Sequence, residues 1–270
     1  MKKTKLFLII SFIFLAILVA GFLTFAQEDK NKDESATAMT SNQSKLSEGV
    51  PHNILIELFL NDKCVVCPKA AYCLEELAWS YEQGRVILVE SHIWNDGYDI
   101  PQTNARYDWY TGSGIKGTPD AFFNGLAERV QGLCCDCGDI DKNITAYQDI
   151  IDKHLAQTSS IEIKAMMEIY DGKLIIQGSI ANRSHSLLKN LTLSGMVYYE
   201  GDESEFFYLV KDIFQGQDIC QLAPLEEREI SFVSHLDLNG VDDEELGRYY
   251  GVVFVQDKLS KEVLQSYLVF

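Results

Sequence analysis

The sequence predicts an α/β unit followed by an all-β unit, and three observations carry that reading. Between about residues 50 and 157, apolar β-branched runs alternate with amphipathic helical patterns. From Ile161 onward the helical period disappears, and short strand-like runs follow one another with turn residues between them. A polar stretch over 27–49 has almost no large apolar residue and sets both units apart from an apolar amino terminus.

The ends and the charge limit the function classes. The chain has 270 residues, with 23 basic against 40 acidic side chains and a net charge of −17. That balance argues against nucleic acid or an anionic membrane surface as a partner. Lys2, Lys3 and Lys5 precede an uncharged apolar run over 6–26. Residues 1–26 therefore read as a signal peptide or an amino-terminal membrane anchor, with the rest of the chain exported. The expected location is extracytoplasmic, at the periplasm or cell surface, with membrane contact only through this segment. Residues 27–49 read as a flexible linker.

The first unit, 50–157, is justified element by element. Ile54–Leu60 is a β-branched, apolar run that ends in the polar turn Asn61-Asp62-Lys63. Cys64-Val65-Val66-Cys67-Pro68 then opens a helix whose apolar positions are Ala71, Leu74, Leu77, Ala78 and Tyr81, with Gly84 as its stop. Residues 85–90 read as a buried parallel strand. Residues 91–98 form a loop carrying His92 and Trp94, after which Asp99 or its neighbourhood caps a helix with Pro101 at its first turn. The breaker-rich segment 111–119 leads into a hairpin, 120–123 and 126–130, around a type I′ Asn124-Gly125 turn. Residues 141–157 form a last helix, with Ile144, Tyr147, Ile150, Ile151 and Leu155 on one face.

A thiol pair placed where a strand passes into a helix has a definite chemistry. Unpaired backbone N–H groups and the helix dipole favour negative charge at the helix start, so a thiolate is stabilised at Cys64. Cys67, one turn on, is placed to attack a mixed disulfide and close the ring. The order strand, C-x-x-C helix, strand, helix, hairpin, helix resembles a thioredoxin fold. Cys64-Val65-Val66-Cys67-Pro68 resembles that family's redox motif, Gly117-Thr118-Pro119 its cis-proline loop, and Phe122-Phe123-Asn124-Gly125 the hairpin after it. The likeness is greatest to an exported, two-domain branch related to outer-membrane proteins. It implies a nucleophile at Cys64, a resolving thiol at Cys67, a proton-relaying carboxylate at Glu57, and a substrate groove at Thr118 and Pro119. His92 and Trp94 are candidate contacts along that groove. Val-Val between the cysteines, in place of the family's usual pairs, leaves the direction of electron flow open.

Other constellations carry less. Seven cysteines in an exported chain permit disulfides and leave an odd thiol. Cys134, Cys135 and Cys137 are three thiols in four residues, but a closed zinc site needs a fourth ligand, so a structural disulfide with a spare thiol is the expectation. Gly112 to Gly117 spells G-x-G-x-x-G, yet it follows a helix and runs into a proline, which removes the dinucleotide reading.

The second unit, 158–270, holds strand-like runs at 161–169, 173–178, 191–199, 229–233, 250–255 and 263–270. Six or seven short strands in about a hundred residues suggest an immunoglobulin- or fibronectin-like sandwich. Residues 206–214 fit helix or strand, and Cys220 is expected in a loop. The whole reads as an exported thiol–disulfide oxidoreductase acting on protein thiols or disulfides, with a redox-partner protein and no cofactor. Two alternatives stand beside it: a redox-inert binding module with structural disulfides, and a thiolate metal-binding protein.

Overall fold

Val50–Pro51 forms a two-residue strand, β1, and Ile54–Leu60 forms β2, whose seven residues are all buried. The computed structural model describes residues 49–134, 138–201 and 207–270. The signal or anchor at 1–26, the linker up to residue 48, Cys135 and Cys137 lie outside the described residues. No helix among those described is long and apolar enough to cross a membrane.

Strand β2 is buried on both faces because helices cover each of them. Helix α1 (Cys67–Ser80) and helix α3 (Ile140–Leu155) pack on one face, where Ile54, Ile56, Leu58 and Leu60 share a core with Cys67, Leu74, Leu77, Tyr147 and Ile151. Helix α2 (Pro101–Thr111) covers the other, where Phe59, Ile93, Tyr107, Tyr110 and Phe122 form an aromatic cluster. Within it Tyr110 and Phe122 stack at 4.7 Å, and Phe59 meets Phe122 edge to face at 5.4 Å. Strand β3 (Val86–His92) pairs with β2 in parallel and β4 (Asp120–Phe123) pairs antiparallel on its other side; β5 (Glu128–Gln131) then pairs with β4.

Local details depart from the sequence reading for physical reasons. Helix α1 ends at Ser80 with Tyr81 extended, so Gly84, at φ +81°, turns the chain into β3 instead of stopping the helix. Ile100 caps α2, because the Asp99 carboxylate is taken by the Asn95 backbone N–H and the Asn104 amide. The hairpin turn spans four residues, since Phe123 pairs with Glu128. Gly125, at φ +64°, approaches another loop so closely that a Cβ there would lie 2.1 Å from the Lys261 carbonyl oxygen.

The remaining strands are β6 (Thr158–Ser159), β7 (Ile161–Tyr170), β8 (Lys173–Asn182), β9 (Leu188–Glu200), β10 (Tyr208–Ile213), β11 (Gln217–Leu222), β12 (Glu227–Val233), β13 (Tyr249–Asp257) and β14 (Val263–Val269), with a short helix α4 (Asp243–Leu246) before β13. Within the ambiguous stretch, Tyr208–Ile213 is therefore strand. Cys220 is not in a loop but in β11, exposed, at φ +55° where the register with β9 slips on either side.

Strands β7, β8 and β12 make a three-stranded sheet that faces β9, β11, β13 and β14 across a second core containing Ile176, Val197, Phe232 and Val253. The larger sheet does not stop there. Its order is β14-β13-β9-β10-β3-β2-β4-β5, with β10 joined to β3 in parallel at Leu209 and Glu90. Strand β13 shows how one strand serves both cores: Val252 and Phe254 point into the first, Val253 and Val255 into the second. The molecule is thus mostly β-sheet with few helices, in two layered halves that share a sheet.

Candidate functional site

Cys64 and Cys67 form a disulfide, with Cα atoms 5.4 Å apart. The turn that holds it is closed by the Cys64 N–H, which donates to the Asn61 carbonyl at 3.0 Å. Cys67 opens α1 and is buried, Cys64 is half-buried, and Val65 between them is 92% exposed. The Cys67 backbone N–H donates to Cys64 Sγ at 3.1 Å. An amide of the helix start, shared with the Cys64 carbonyl at 3.3 Å, therefore points at the outer sulfur, where it would stabilise a thiolate. Pro68 sits in the first turn, where its missing N–H costs nothing.

The loop after β3 braces the turn before the cysteines. The Asn61 amide donates to the Ile93 carbonyl at 2.6 Å, and the Asp62 N–H donates to Asp96 Oδ2 at 3.1 Å. His92 Nδ1 bonds the same Asp96 oxygen, and both side chains are buried. Burial lowers the His92 imidazole, with Asp96 opposing. Burial would raise the Asp96 carboxyl, but His92 and the N–H groups of Tyr98 and Asp62 carry it below its ordinary value. His92 is therefore a support at the end of β3 and not a surface along a groove. Trp94 is 45% exposed, with its N–H donating to Asn104 Oδ1 at 2.9 Å.

The loop before β4 leaves the sheet at the same end. Asp120 is paired with Phe59, so Thr118 and Pro119 lie just beyond the strand end from which the cysteine turn departs. The Thr118–Pro119 bond is cis; Pro119 is buried and Thr118 half-buried. The Gly117 N–H donates to the Tyr107 hydroxyl at 2.9 Å, which donates to Asp120 Oδ2 at 2.8 Å. Arg129 grips Asp120 with Nε and Nη2, at 2.9 and 2.6 Å, and also donates to the Ile115 carbonyl. Burial raises the Asp120 carboxyl while Arg129 and Tyr107 oppose it.

The proton-relay expectation for Glu57 is corrected by its surroundings. Its carboxylate accepts from Arg106 Nε, from Arg106 Nη2 at 2.8 Å and from the Tyr110 hydroxyl at 2.6 Å, all on α2. Side chains alternate along a strand, so it is Leu58 that shares the core with Cys67 while Glu57 faces away. Arg106 answers the charge: burial opposes its own, but Glu57 and Tyr110 hold it above its ordinary value.

The carboxyls on the cysteine side are ones that pattern reading missed. Glu90 on β3 is fully buried and meets Glu75 of α1; burial raises both, Glu75 raises Glu90 further, and Glu90 in turn opposes the rise of Glu75. The signal was a charged residue ending the apolar run of β3. Cys73 is buried, with its thiol pushed up to about 11, and Cys134 is half-buried and raised by burial, so neither has the setting of a reactive thiol. No metal-holding group is found among the described residues.

No family model matches the chain, and no curated protein matches it. Among solved structures, HBP35 of Porphyromonas gingivalis aligns with a TM-score of 0.64 at 16% identity, covering 82% of this chain and 76% of that one. A β-glucuronidase of Bacteroides uniformis aligns at 0.29 and 17% identity, over 40% of this chain and 12% of its own. The alkylpurine DNA glycosylase AlkC of Pseudomonas fluorescens aligns at 0.28 and 14%, over 42% and 30%. Overlaps of that extent support nothing further. The comparisons establish the fold alone: across most of its length this chain shares the architecture of HBP35.

Proposed function

We propose that the protein is an exported thiol–disulfide oxidoreductase whose amino-terminal half is a thioredoxin-like domain. The observation that supports this best is the Cys64–Cys67 disulfide at the start of α1, its outer sulfur half-buried and bonded by a helix amide, beside the fully exposed tip at Val65. In the reducing direction the Cys64 thiolate attacks a substrate disulfide. A Cys64–substrate disulfide forms and one substrate thiolate leaves. The Cys67 thiolate then attacks Cys64 Sγ, the Cys64–Cys67 disulfide closes, and the second substrate thiolate leaves, carrying the second of two electrons. Run backwards, the same steps oxidise a substrate dithiol. The partner is a protein thiol or disulfide, with Thr118 and Pro119 forming the wall against which an extended chain lies. No cofactor enters, because the sulfurs carry the electrons.

Disulfide exchange with a model protein substrate tests this. Cys64→Ser should fall to the uncatalysed rate, and Cys67→Ser should accumulate a mixed disulfide with substrate. Full turnover in both variants would overturn the reading. So would a Cys64–Cys67 bond that mild reductant leaves closed until the protein is denatured.

A further inference from the structure

At the far end of α1 from the disulfide, the helix and the shared sheet enclose a cavity of about 260 Å³. Trp79 and Tyr81 line it from the helix and the chain after it. Tyr198 and Glu200 on β9, Tyr208 on β10 and Tyr250 on β13 line it from the sheet. Twelve residues of helix separate Cys67 from Trp79, roughly 18 Å along the axis, so the cavity is separate from the cysteine site.

The chemistry of the lining is one-sided. Tyr198 and Tyr250 stack at 5.3 Å, and Tyr208 meets Tyr198 edge to face at 5.7 Å. Glu200 is the sole charged side chain among the described lining residues, and neither Lys nor Arg is among them. The phenols register it: burial first, then Glu200 and neighbouring oxygens, push Tyr198, Tyr208 and Tyr250 upward. A further negative charge is unwelcome in such a place. An anion would be repelled by Glu200 and a cation attracted to it. Aromatic faces next to a carboxylate attract a cation with an apolar body. The volume lies below the roughly 300–1,000 Å³ of drug-sized sites, so the ligand is small.

We propose that this cavity binds a small organic cation, a primary or quaternary ammonium, seated against the rings of Tyr198, Tyr208 and Tyr250 with its charge towards Glu200. Calorimetric titration of the full chain with choline, ethanolamine and the neutral isostere 3,3-dimethylbutanol tests it. At least one of the two cations should saturate a single site below roughly 10 mM and bind about tenfold or more tighter than the isostere. Which of the two binds tighter distinguishes the quaternary from the primary ammonium. Glu200→Gln, which keeps the side-chain shape, should weaken the cation about tenfold and leave the isostere unchanged. Tyr250→Phe, which keeps the ring but removes a phenol from the lining, should change cation affinity and serves if the first variant folds poorly. The proposal is overturned if neither cation saturates in that range, if the isostere binds as well as the cations, or if the folded Glu200→Gln protein titrates like the parent. Cysteine variants at the disulfide should bind the cation normally, which separates this site from the exchange reaction.

Discussion

A carboxylate held out of water must be met by a charge of opposite sign, and Glu57 shows how far the chain goes to supply one. Arg106 lies 49 residues on, forks onto both carboxylate oxygens, and has its guanidinium 4.8 Å from the rings of both Tyr110 and Phe254. Tyr110 closes the network by donating to Glu57 and accepting from the Gln256 amide at 2.9 Å. Removing one member strands the other. Arg106→Met should destabilise the protein by about 3–5 kcal/mol at neutral pH, read from the urea midpoint, because a buried carboxylate is left unpaired. Replacing both, as Glu57→Leu with Arg106→Met, should cost clearly less than the two single changes added together. Strict additivity would show that the pair is not coupled. The sequence displayed half of this: a single Glu inside an apolar strand marks a buried carboxylate. Its face, and hence its distance from Cys67, depended on strand alternation counted from the right residue, and its partner was an Arg with no local signature. Cys64, Cys67 and Pro119 were legible because turn and helix-start chemistry is local.

Helix α1 and strand β3 carry two further buried acids, and here the effect belongs to packed elements. Glu75 and Glu90 are brought together only because the helix lies across the strand, and the Tyr208 N–H at 3.4 Å from Glu90 adds β10 to the contact. Both carboxyls keep their protons above the ordinary value of 4.5. Past that pH the folded state therefore holds more protons than the unfolded chain, and stability falls as pH rises. The contribution of this pair is complete below the ordinary carboxyl value and is lost as pH climbs through the raised ones. Glu90→Gln keeps an acceptor for the Tyr208 N–H and removes the titration. The variant should be more stable than the parent at pH 7 and match it near pH 4 in denaturant midpoints measured across the range. A parallel pair of pH profiles would rule the account out. At this scale, periodicity located most strands and helices to within a few residues. It failed at Gln217–Leu222, whose alternation is interrupted by a residue at positive φ, and at the Asn124-Gly125 turn, which spans four residues and meets a distant loop.

Strand pairing over long separations decides the behaviour of the whole. Periodicity marks a run as strand but says nothing about a neighbour more than a hundred residues away, so the joining of β10 to β3 was not readable in advance. Its trace in the sequence was indirect: Tyr250-Gly251-Val252-Val253-Phe254-Val255 is apolar without alternation because both of its faces are buried, each in a different core. The seam has further stitches. Val50 and Pro51 pair with Ser159 and Thr158, the Asn53 N–H donates to Gln265 Oε1 at 3.0 Å, and the Leu126 N–H donates to the Lys261 carbonyl at 3.1 Å. Two halves that share a sheet and stranded core residues cannot open one at a time without exposing the apolar faces of β9 and β13. Urea unfolding of the full chain should therefore be a single transition. Tryptophan fluorescence senses the amino-terminal half and its border with the other, since Trp79, Trp94 and Trp109 all lie in the first and Trp79 meets Phe207 at 5.1 Å. Hydrogen exchange can follow Lys173–Asn182 in the other half, and the two midpoints should coincide. Separate midpoints would mean that the shared sheet is a contact between independent domains. Residues 50–157 expressed alone should then fold as stably as they do in the full chain, whereas a shared core requires them to be destabilised and prone to pair along the bare edge of β3.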